Sequence, residues 1–248
     1  MYRFFTSTED EYNYIINNFG YSKNLVKLTG LARFDNLNND NLDQKLILVM
    51  PTWRNWIARE VECKKYEGTN VFEETGYFKA WNEFLNSEKI KEFLEANDLK
   101  MIFYPHRNMQ KYINSFSKCS DRIIIGNAKD YDVQDLLKRA SLLVTDYSSV
   151  FFDFAYLGKP IIFYQFDEEK FRAGQYNVGY FDYKTTELGE WTDNMDWVLD
   201  YLNKKQSLLG QPNKDIAKKY FKFVDTNNSQ RIYEEIKNEN KNKSKKFN

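Results

Sequence analysis

The chain has 248 residues, 42% of them hydrophobic and 17% aromatic, which is enough to bury the core of one large domain or two small ones. Lysine plus arginine and aspartate plus glutamate both number 36, so the formal net charge of zero argues against nucleic-acid binding driven by overall charge. The mean hydropathy is −0.72, and no apolar run approaches the roughly 20 residues of a membrane helix. The length and composition therefore predict a folded protein, large enough for an α/β domain, without a transmembrane helix.

The reactive residue types are few. Cys63 and Cys119 lie far apart in the sequence and predict neither a disulfide framework nor a cysteine-type metal site. His106 is the single histidine, so a mechanism that needs two histidines cannot be completed within this chain. We expect no metal and no cofactor. The first ten residues lack the apolar core of a signal peptide, which favours a cytoplasmic location.

The first 42 residues stand apart from the rest of the sequence. A helical pattern over Glu9–Asn18 ends at Gly20, and a strand-like stretch follows at Val26–Thr29. The asparagine-rich piece Asn36–Asn41 is typical of a linker. This leading segment is too short to form a domain of its own.

From residue 43 onward, short apolar strands alternate with helical patterns. The predicted strands are Lys45–Met50, Lys100–Tyr104, Asp121–Ile125, Ser141–Val144 and Pro160–Tyr164. The predicted helices between and after them are Tyr77–Asn97 (one helix, or two broken near Ser87), Asn108–Phe116, Asp132–Arg139, Ser149–Leu157, Asp193–Lys204, Lys214–Lys222 and Ser229–Asn238. Strands that are apolar on both faces predict a doubly wound, Rossmann-like parallel sheet over residues 43–210.

Ligands of such sheets bind beyond the carboxyl ends of the strands, where three polar clusters occur. Thr52 and Arg54 follow the first strand, and an arginine there can bind a phosphate with two parallel hydrogen bonds. The alternative is a surface arginine stacked on Trp53. His106 and Arg107 follow the second strand, where the imidazole can contact a phosphate or act as a general acid. The alternative is a structural histidine bonded to its own loop.

The third cluster is the most specific. The fourth strand runs into Thr145, Asp146, Tyr147, Ser148 and Ser149, and a helix begins immediately afterwards. Hydroxyls and free N–H groups at a helix start favour an anion. The alternative is plain N-capping of that helix by Ser148. Neither a dinucleotide-binding nor a P-loop glycine motif occurs, which disfavours a nicotinamide dehydrogenase and a P-loop ATPase.

The stretch Asp132–Tyr164, with its TDYSSVFFDFA string, resembles the CDP-glycerol glycerophosphotransferase family of teichoic acid polymerases. Further agreement lies in MPTWRN at Met50–Asn55, YPHR at Tyr104–Arg107, FRAGQYNVGYFDY at Phe171–Tyr183, and TGLARFD at Thr29–Asp35, which resembles the family's interdomain link. The resemblance runs from about Phe4 to Glu190. The segment after Tyr183 departs from the proline-containing turn of the family.

The family has a GT-B arrangement, with an acceptor-side N-terminal domain and a donor-side C-terminal domain. The resemblance implies that residues 43–210 are the donor-binding domain and residues 1–42 a remnant of the acceptor side plus the linker. Residues 211–238 would be the C-terminal crossing helices, and residues 239–248 a disordered lysine-rich tail. We expect an exposed apolar face near residues 1–42 and the last helix.

The resemblance implies transfer of glycerol phosphate from CDP-glycerol, or a related CDP-polyol, to a lipid-linked polyol-phosphate acceptor in teichoic acid or capsule synthesis, with release of CMP. It implies peripheral attachment at the inner membrane face. The implied catalytic residue is His106. The implied phosphate-binding residues are Arg54, Thr145, Asp146, Ser148 and Ser149, with Thr52, Arg107 and Arg172 as secondary candidates.

Two alternatives stay open at this point. The same fold can use CDP-ribitol or a nucleotide-sugar donor, because donor choice lies in loops that one sequence does not decode. The chain can also be an inactive, truncated donor-binding fragment. The family uses a second histidine, in the N-terminal acceptor domain, and this chain contains only His106.

Overall fold

The computed structural model describes residues 3–57, 61, 71–205 and 209–244, with side chains described to residue 238. Cys63 and residues 245–248 of the lysine-rich tail lie outside the described residues. Among the described residues, no helix is both long and apolar enough to cross a membrane.

Two parallel sheets organise the described chain. The strands are β1 Phe4–Thr6, β2 Val26–Leu28, β3 Leu46–Met50, β4 Lys100–Phe103, β5 Ile123–Ile125, β6 Leu142–Thr145, β7 Ile161–Tyr164 and β8 Glu190–Thr192. Strands β1 and β2 pair with each other, and the other six form a sheet in the order β5-β4-β3-β6-β7-β8. All of these pairings are parallel. The predicted doubly wound parallel sheet is confirmed.

Helices pack around both sheets. They are α1 Glu9–Phe19, α2 Val71–Glu74, α3 Gly76–Leu85, α4 Glu88–Ala96, α5 Val133–Arg139, α6 Val150–Tyr156, α7 Glu168–Gly174, α8 Met195–Lys204, α9 Lys214–Tyr220 and α10 Asn228–Ser244, with 3₁₀ helices at Ala32–Asn36 and Arg107–Ser115. The predicted break near Ser87 is confirmed, because α3 and α4 are separate helices. Asp132 caps α5 as predicted by accepting from the Asp135 N–H at 2.9 Å.

The two faces of the central strand explain its uninterrupted apolar sequence. Ile47 and Val49 pack into a core with Trp81 on one face of the sheet. Leu46 and Leu48 pack on the other face in a second core. Every residue of β3 is buried, as expected for a parallel strand with helices on both sides.

The strand order places a topological switch point at β3 and β6. From β3 the chain proceeds through β4 to β5 on one side, and then continues from β6 to β8 on the other. Met50 pairs with Thr145, so the loops that follow β3 and β6 leave the sheet side by side. This crevice is where doubly wound folds bind their ligands.

A clamp ties the linker before β3 to the last helix. The carboxylate of Asp35 accepts hydrogen bonds from the backbone N–H groups of Asn228 and Ser229 at 2.8 and 2.7 Å. Gly30 has a φ of 79°, and a Cβ there would lie 1.8 Å from the Asn228 side chain. Only glycine fits this close approach.

Several boundaries differ from the sequence predictions. Strands β1 and β8 were not predicted; both have only three residues and carry little periodicity. Asn108–Phe116 forms a 3₁₀ helix over Arg107–Ser115. The sequence predicts disorder from residue 239 onward, but α10 continues through Ser244. A polar run of helix-forming residues extends an existing helix at little cost.

Apolar side chains are exposed at both places where the sequence predicts them. Phe19 at the end of α1 is 59% exposed, and Tyr233 and Ile236 on α10 are 55% and 46% exposed. The predicted exposure near residues 1–42 and the last helix is confirmed for these side chains.

A buried lysine joins α5 to the strand β7. The Lys159 ammonium donates to the carbonyls of Leu137, Lys138 and Ala140 at 2.9, 2.7 and 2.8 Å. These are the carbonyls that the C-terminus of α5 leaves without helical partners. Burial lowers the pKa of Lys159 to about 7, while three carbonyl acceptors match the three donors of the charged form.

We predict that Lys159→Met lowers the free energy of unfolding by about 2 kcal/mol, because three buried carbonyls lose a charged donor. Chemical denaturation followed by circular dichroism measures this. Lys100→Met, at an exposed strand start, serves as the control and should change stability by less than about 0.5 kcal/mol. Equal effects of the two substitutions would refute a capping role for Lys159.

Candidate functional site

A buried arginine lies at the switch point. Arg54 is 1% exposed. Its guanidinium donates to both carboxylate oxygens of Asp167, from Nε at 2.8 Å and from Nη2 at 2.9 Å. Nη2 also lies 2.8 Å from Asp146 Oδ2, as an ion pair without hydrogen-bond geometry. Nη1 donates to the Thr52 carbonyl at 2.7 Å, so every part of the fork is in use.

Aromatic rings complete the surroundings of this guanidinium. Its central carbon lies 5.0 Å from the ring centre of Phe171 and 5.1 Å from that of Tyr147. Burial opposes the charge of Arg54, but Asp146 and Asp167 raise its pKa above the ordinary value. Burial raises the pKa of Asp146, and the charge of Arg54 opposes that shift. The arrangement is a fixed cation between two carboxylates.

Asp146 holds the two switch-point loops together. Its Oδ1 accepts from the backbone N–H of Thr52 at 2.7 Å and from that of Tyr147 at 2.6 Å. Thr145 Oγ1 donates to the Met50 carbonyl at 2.7 Å, across the same pair of strands. Thr145 and Asp146 are both fully buried. In the described arrangement their side chains fix the loops.

Ser148 and Ser149 lie beyond this buried layer. Ser148 is half-buried and Ser149 is exposed, at the start of α6. Ser149 occupies the N-cap position with a φ of −62° and a ψ of −9°, and no side-chain cap hydrogen bond forms there. The simple capping alternative considered from the sequence is therefore not observed, and the hydroxyls stay available to a ligand.

His106 lies on the neighbouring loop. Its Nδ1 accepts from the Asn108 backbone N–H at 3.2 Å, so the proton of the neutral ring is on Nε2. The ring stacks on Trp53 with centroids 6.2 Å apart. Burial lowers the pKa of His106, and the charge of Asp146 partly offsets this. The free protein at neutral pH therefore carries an uncharged imidazole with one N–H to donate.

The secondary candidates differ in accessibility. Thr52 is buried, and its Oγ1 has no hydrogen-bond partner among the described residues. Arg107 is exposed beside His106, and Arg172 is half-buried on the far side of Tyr147. No described observation assigns a ligand to these residues, and the direct phosphate contacts of all the candidates stay predictions.

Sequence reasoning missed Asp167, the second carboxylate of the cluster. Asp167 lies three residues beyond the end of β7, at the same edge of the sheet as the recognised clusters. The position of Asp167 just beyond the end of β7 was the sequence feature that could have identified it as a site residue. It precedes α7 without capping it, because its carboxylate binds Arg54 instead.

Comparisons with known proteins show what this chain is similar to. The family model described as CDP-glycerol:poly(glycerophosphate) glycerophosphotransferase matches residues 1–238. The chain is 32% identical over 243 residues to the minor teichoic acid biosynthesis protein GgaB of Bacillus subtilis strain 168, covering 93% of this chain and 26% of that protein. It is 27% identical to a teichoic acid poly(glycerol phosphate) polymerase of Bacillus spizizenii W23, covering 94% of this chain and 54% of that protein.

The fold is also that of a solved enzyme. The wall teichoic acid polymerase TagF superposes with a TM-score of 0.62 at 19% identity, covering the whole of this chain and 59% of the TagF chain. The chain thus spans between about a quarter and about three fifths of the length of these three proteins.

We predict that Arg54→Met lowers the free energy of unfolding by about 3–5 kcal/mol, because the buried carboxylate of Asp146 and the partly buried one of Asp167 lose their cation. Urea denaturation measures the loss. Arg139→Met is the matched control, since its 3.7 Å pair with Asp135 lies on an exposed helix face and contributes about 0.5 kcal/mol. A stability of Arg54→Met equal to that of the control would contradict the buried cluster.

Proposed function

Because the chain belongs to the CDP-glycerol:poly(glycerophosphate) glycerophosphotransferase family, we propose that it binds CDP-glycerol at the switch point and serves glycerol-phosphate transfer in teichoic acid synthesis. The observation that carries the proposal is that His106, Ser148 and Ser149 all follow strand ends at the switch point, where the Arg54–Asp146 pair lies. The charge of Asp146 acts on His106, and the two serines come two and three residues after Asp146 in the chain. A TagF variant has been crystallised after a soak with CDPG, which supports the choice of donor.

The proposed reaction joins an acceptor hydroxyl to the phosphorus that bears glycerol. A bond forms between the hydroxyl oxygen and that phosphorus, and the bond from phosphorus to the bridging oxygen breaks. CMP leaves with the electron pair of that bond, and the hydroxyl loses its proton to a base. The resemblance places that base on the acceptor side, which we propose as a separate N-terminal domain that residues 1–42 adjoin.

Within this chain the roles divide by accessibility. His106 donates from Nε2 to the diphosphate and stabilises the charge that develops on CMP. Ser148 and Ser149 contribute hydroxyls to the same diphosphate, and Arg107 adds an exposed charge beside His106. Arg54 acts as a positioning residue, because its fork is closed by Asp146 and Asp167, which set the loops that carry the ligands.

The loop that follows β5 is a candidate binding place for the cytosine ring of the donor. Gln110 accepts from the Ala128 N–H at 2.9 Å and donates to the Pro105 carbonyl at 2.9 Å, linking this loop to the His106 loop. We propose that cytosine is recognised by the backbone around residues 126–132, where residues 128–130 are exposed. CDP-ribitol or a nucleotide sugar would enter the same site, and a panel of donors, each offered alone, distinguishes them by which donor releases its nucleotide.

The acceptor and the location of the protein form a separate part of the proposal. We place the chain in the cytoplasm at the inner membrane face, acting on a lipid-linked polyol phosphate. Five lysines lie between residues 237 and 248, and basic residues near an anionic surface contribute about 1 kcal/mol each.

We predict that calorimetric titration detects binding of CDP-glycerol and CDP to the chain, and that His106→Asn weakens both about tenfold. The asparagine oxygen can still accept from the Asn108 N–H, so the loop is retained while the Nε2 donor is lost. Lys100→Ala, at the opposite end of β4, is the control and should bind normally. A folded wild-type chain that binds neither ligand would overturn the proposed function.

We predict that donor binding takes up protons near neutral pH. The pKa of free His106 lies below its ordinary value, and a bound diphosphate raises it, so affinity increases as the pH falls from about 8 to about 6. Titrations in two buffers of different ionisation enthalpy measure the uptake. Uptake that persists unchanged in His106→Asn would assign it to another group.

A further inference from the structure

A small cavity adjoins the candidate site on the side away from His106. Its volume is about 210 Å³. One wall comes from the loop after β6 and the start of α6, and the other from the segment between α7 and Tyr183. Its aromatic and charged lining includes Tyr147, Ser149, Phe152, Arg172, Tyr176 and Tyr180.

Arg172 is the cation of this cavity, and its charge has no carboxylate partner among the described residues. Its guanidinium lies against the rings of Tyr147, Phe171 and Tyr183 at 5.6, 5.9 and 5.7 Å. The one described hydrogen bond is a long contact of 3.4 Å from Nη1 to the Asn177 carbonyl. The buried Nε donates to no described acceptor.

Arg172 differs from Arg54 in the number of its donors that have a protein partner. Arg54 has all its donors directed at protein groups and has two carboxylates beside it. Arg172 keeps a buried donor without an acceptor, which is costly unless a ligand supplies one. An oxygen-rich anion is the natural partner for a planar guanidinium held between aromatic rings.

The size and lining of the cavity further restrict the class of ligand that it can bind. Pockets for drug-sized ligands usually exceed about 300 Å³, so this one is too small for a nucleotide and suits a single small unit. The faces of aromatic rings pack against the C–H groups of a polyol or sugar. The negative charges of Glu11 and Asp10 act on Tyr180, so we expect an anion to bind beside Arg172 rather than beside Tyr180.

We propose that this cavity binds one phosphorylated polyol or sugar unit, with its phosphate on Arg172 and the Ser149 hydroxyl and its carbon skeleton on the aromatic wall. The inference rests on the proposed function and names a subsite within it. Two sources share this chemistry: the glycerol-phosphate half of the donor, and the terminal unit of the polymer.

The test compares three probes by calorimetry on the full chain: CMP, CDP-glycerol and a short glycerol-phosphate oligomer. CMP lacks the glycerol-bearing phosphate of the donor. Arg172→Met keeps the packing stem and removes the charge, and we expect it to weaken at least one glycerol-phosphate probe about tenfold while CMP binds as before. Tyr176→Ser alters an exposed wall residue, 56% exposed, and should weaken the same probe. Arg139→Met is the charge control and should change none of the three affinities.

The pattern of losses identifies the source. A loss for CDP-glycerol alone assigns the cavity to the donor, and a loss for the oligomer assigns it to the polymer end. Unchanged binding of all probes by both folded variants, or an equal loss that includes CMP, overturns the inference. A wild-type chain that binds neither CDP nor CDP-glycerol instead overturns the proposed function, so the two failures are distinguishable.

Discussion

The buried ion cluster of Arg54 with Asp146 and Asp167 is the constraint on which the site depends. Moving a guanidinium and two carboxylates out of water is costly, and the cost is offset only while all three remain together. The three residues follow β3, β6 and β7, so the cluster fixes the relative position of three strand ends. Asp146 extends this control by accepting the backbone N–H of Thr52 in the neighbouring loop and that of Tyr147 in its own loop.

This constraint explains why the most conspicuous arginine of the sequence is not the accessible one. An arginine just beyond a strand end can bind phosphate. Here the guanidinium of Arg54 is already paired with Asp146 and Asp167 at the same edge of the sheet. The groups left facing solvent are His106, Ser148 and Ser149, with Arg172 at the side. The proposed donor site is therefore an outer layer of neutral donors supported by an inner layer of paired charges. The uncharged state of free His106 follows from the same burial.

The sequence was sufficient for the strands, because β3, β6 and β7 are buried on both faces and leave continuous apolar runs. It was sufficient for the switch-point loops, because their polar residues directly follow those runs. It did not reveal the Arg54–Asp167 pair, whose partners lie 113 positions apart and meet only after β7 enters the sheet. Strand β8 was missed since its three residues are defined by pairing with β7 rather than by periodicity. The extension of α10 was missed because composition alone does not mark where a polar helix ends.

The central claim is that Arg54 organises the site from behind while the outer residues bind the donor. A crystal structure of the chain with CDP-glycerol tests it most directly. The account predicts that Arg54 keeps its pairs with Asp146 and Asp167 and that the diphosphate lies within hydrogen-bond distance of His106 and of Ser148 or Ser149. A structure in which Arg54 leaves both carboxylates and binds the diphosphate itself would contradict the account.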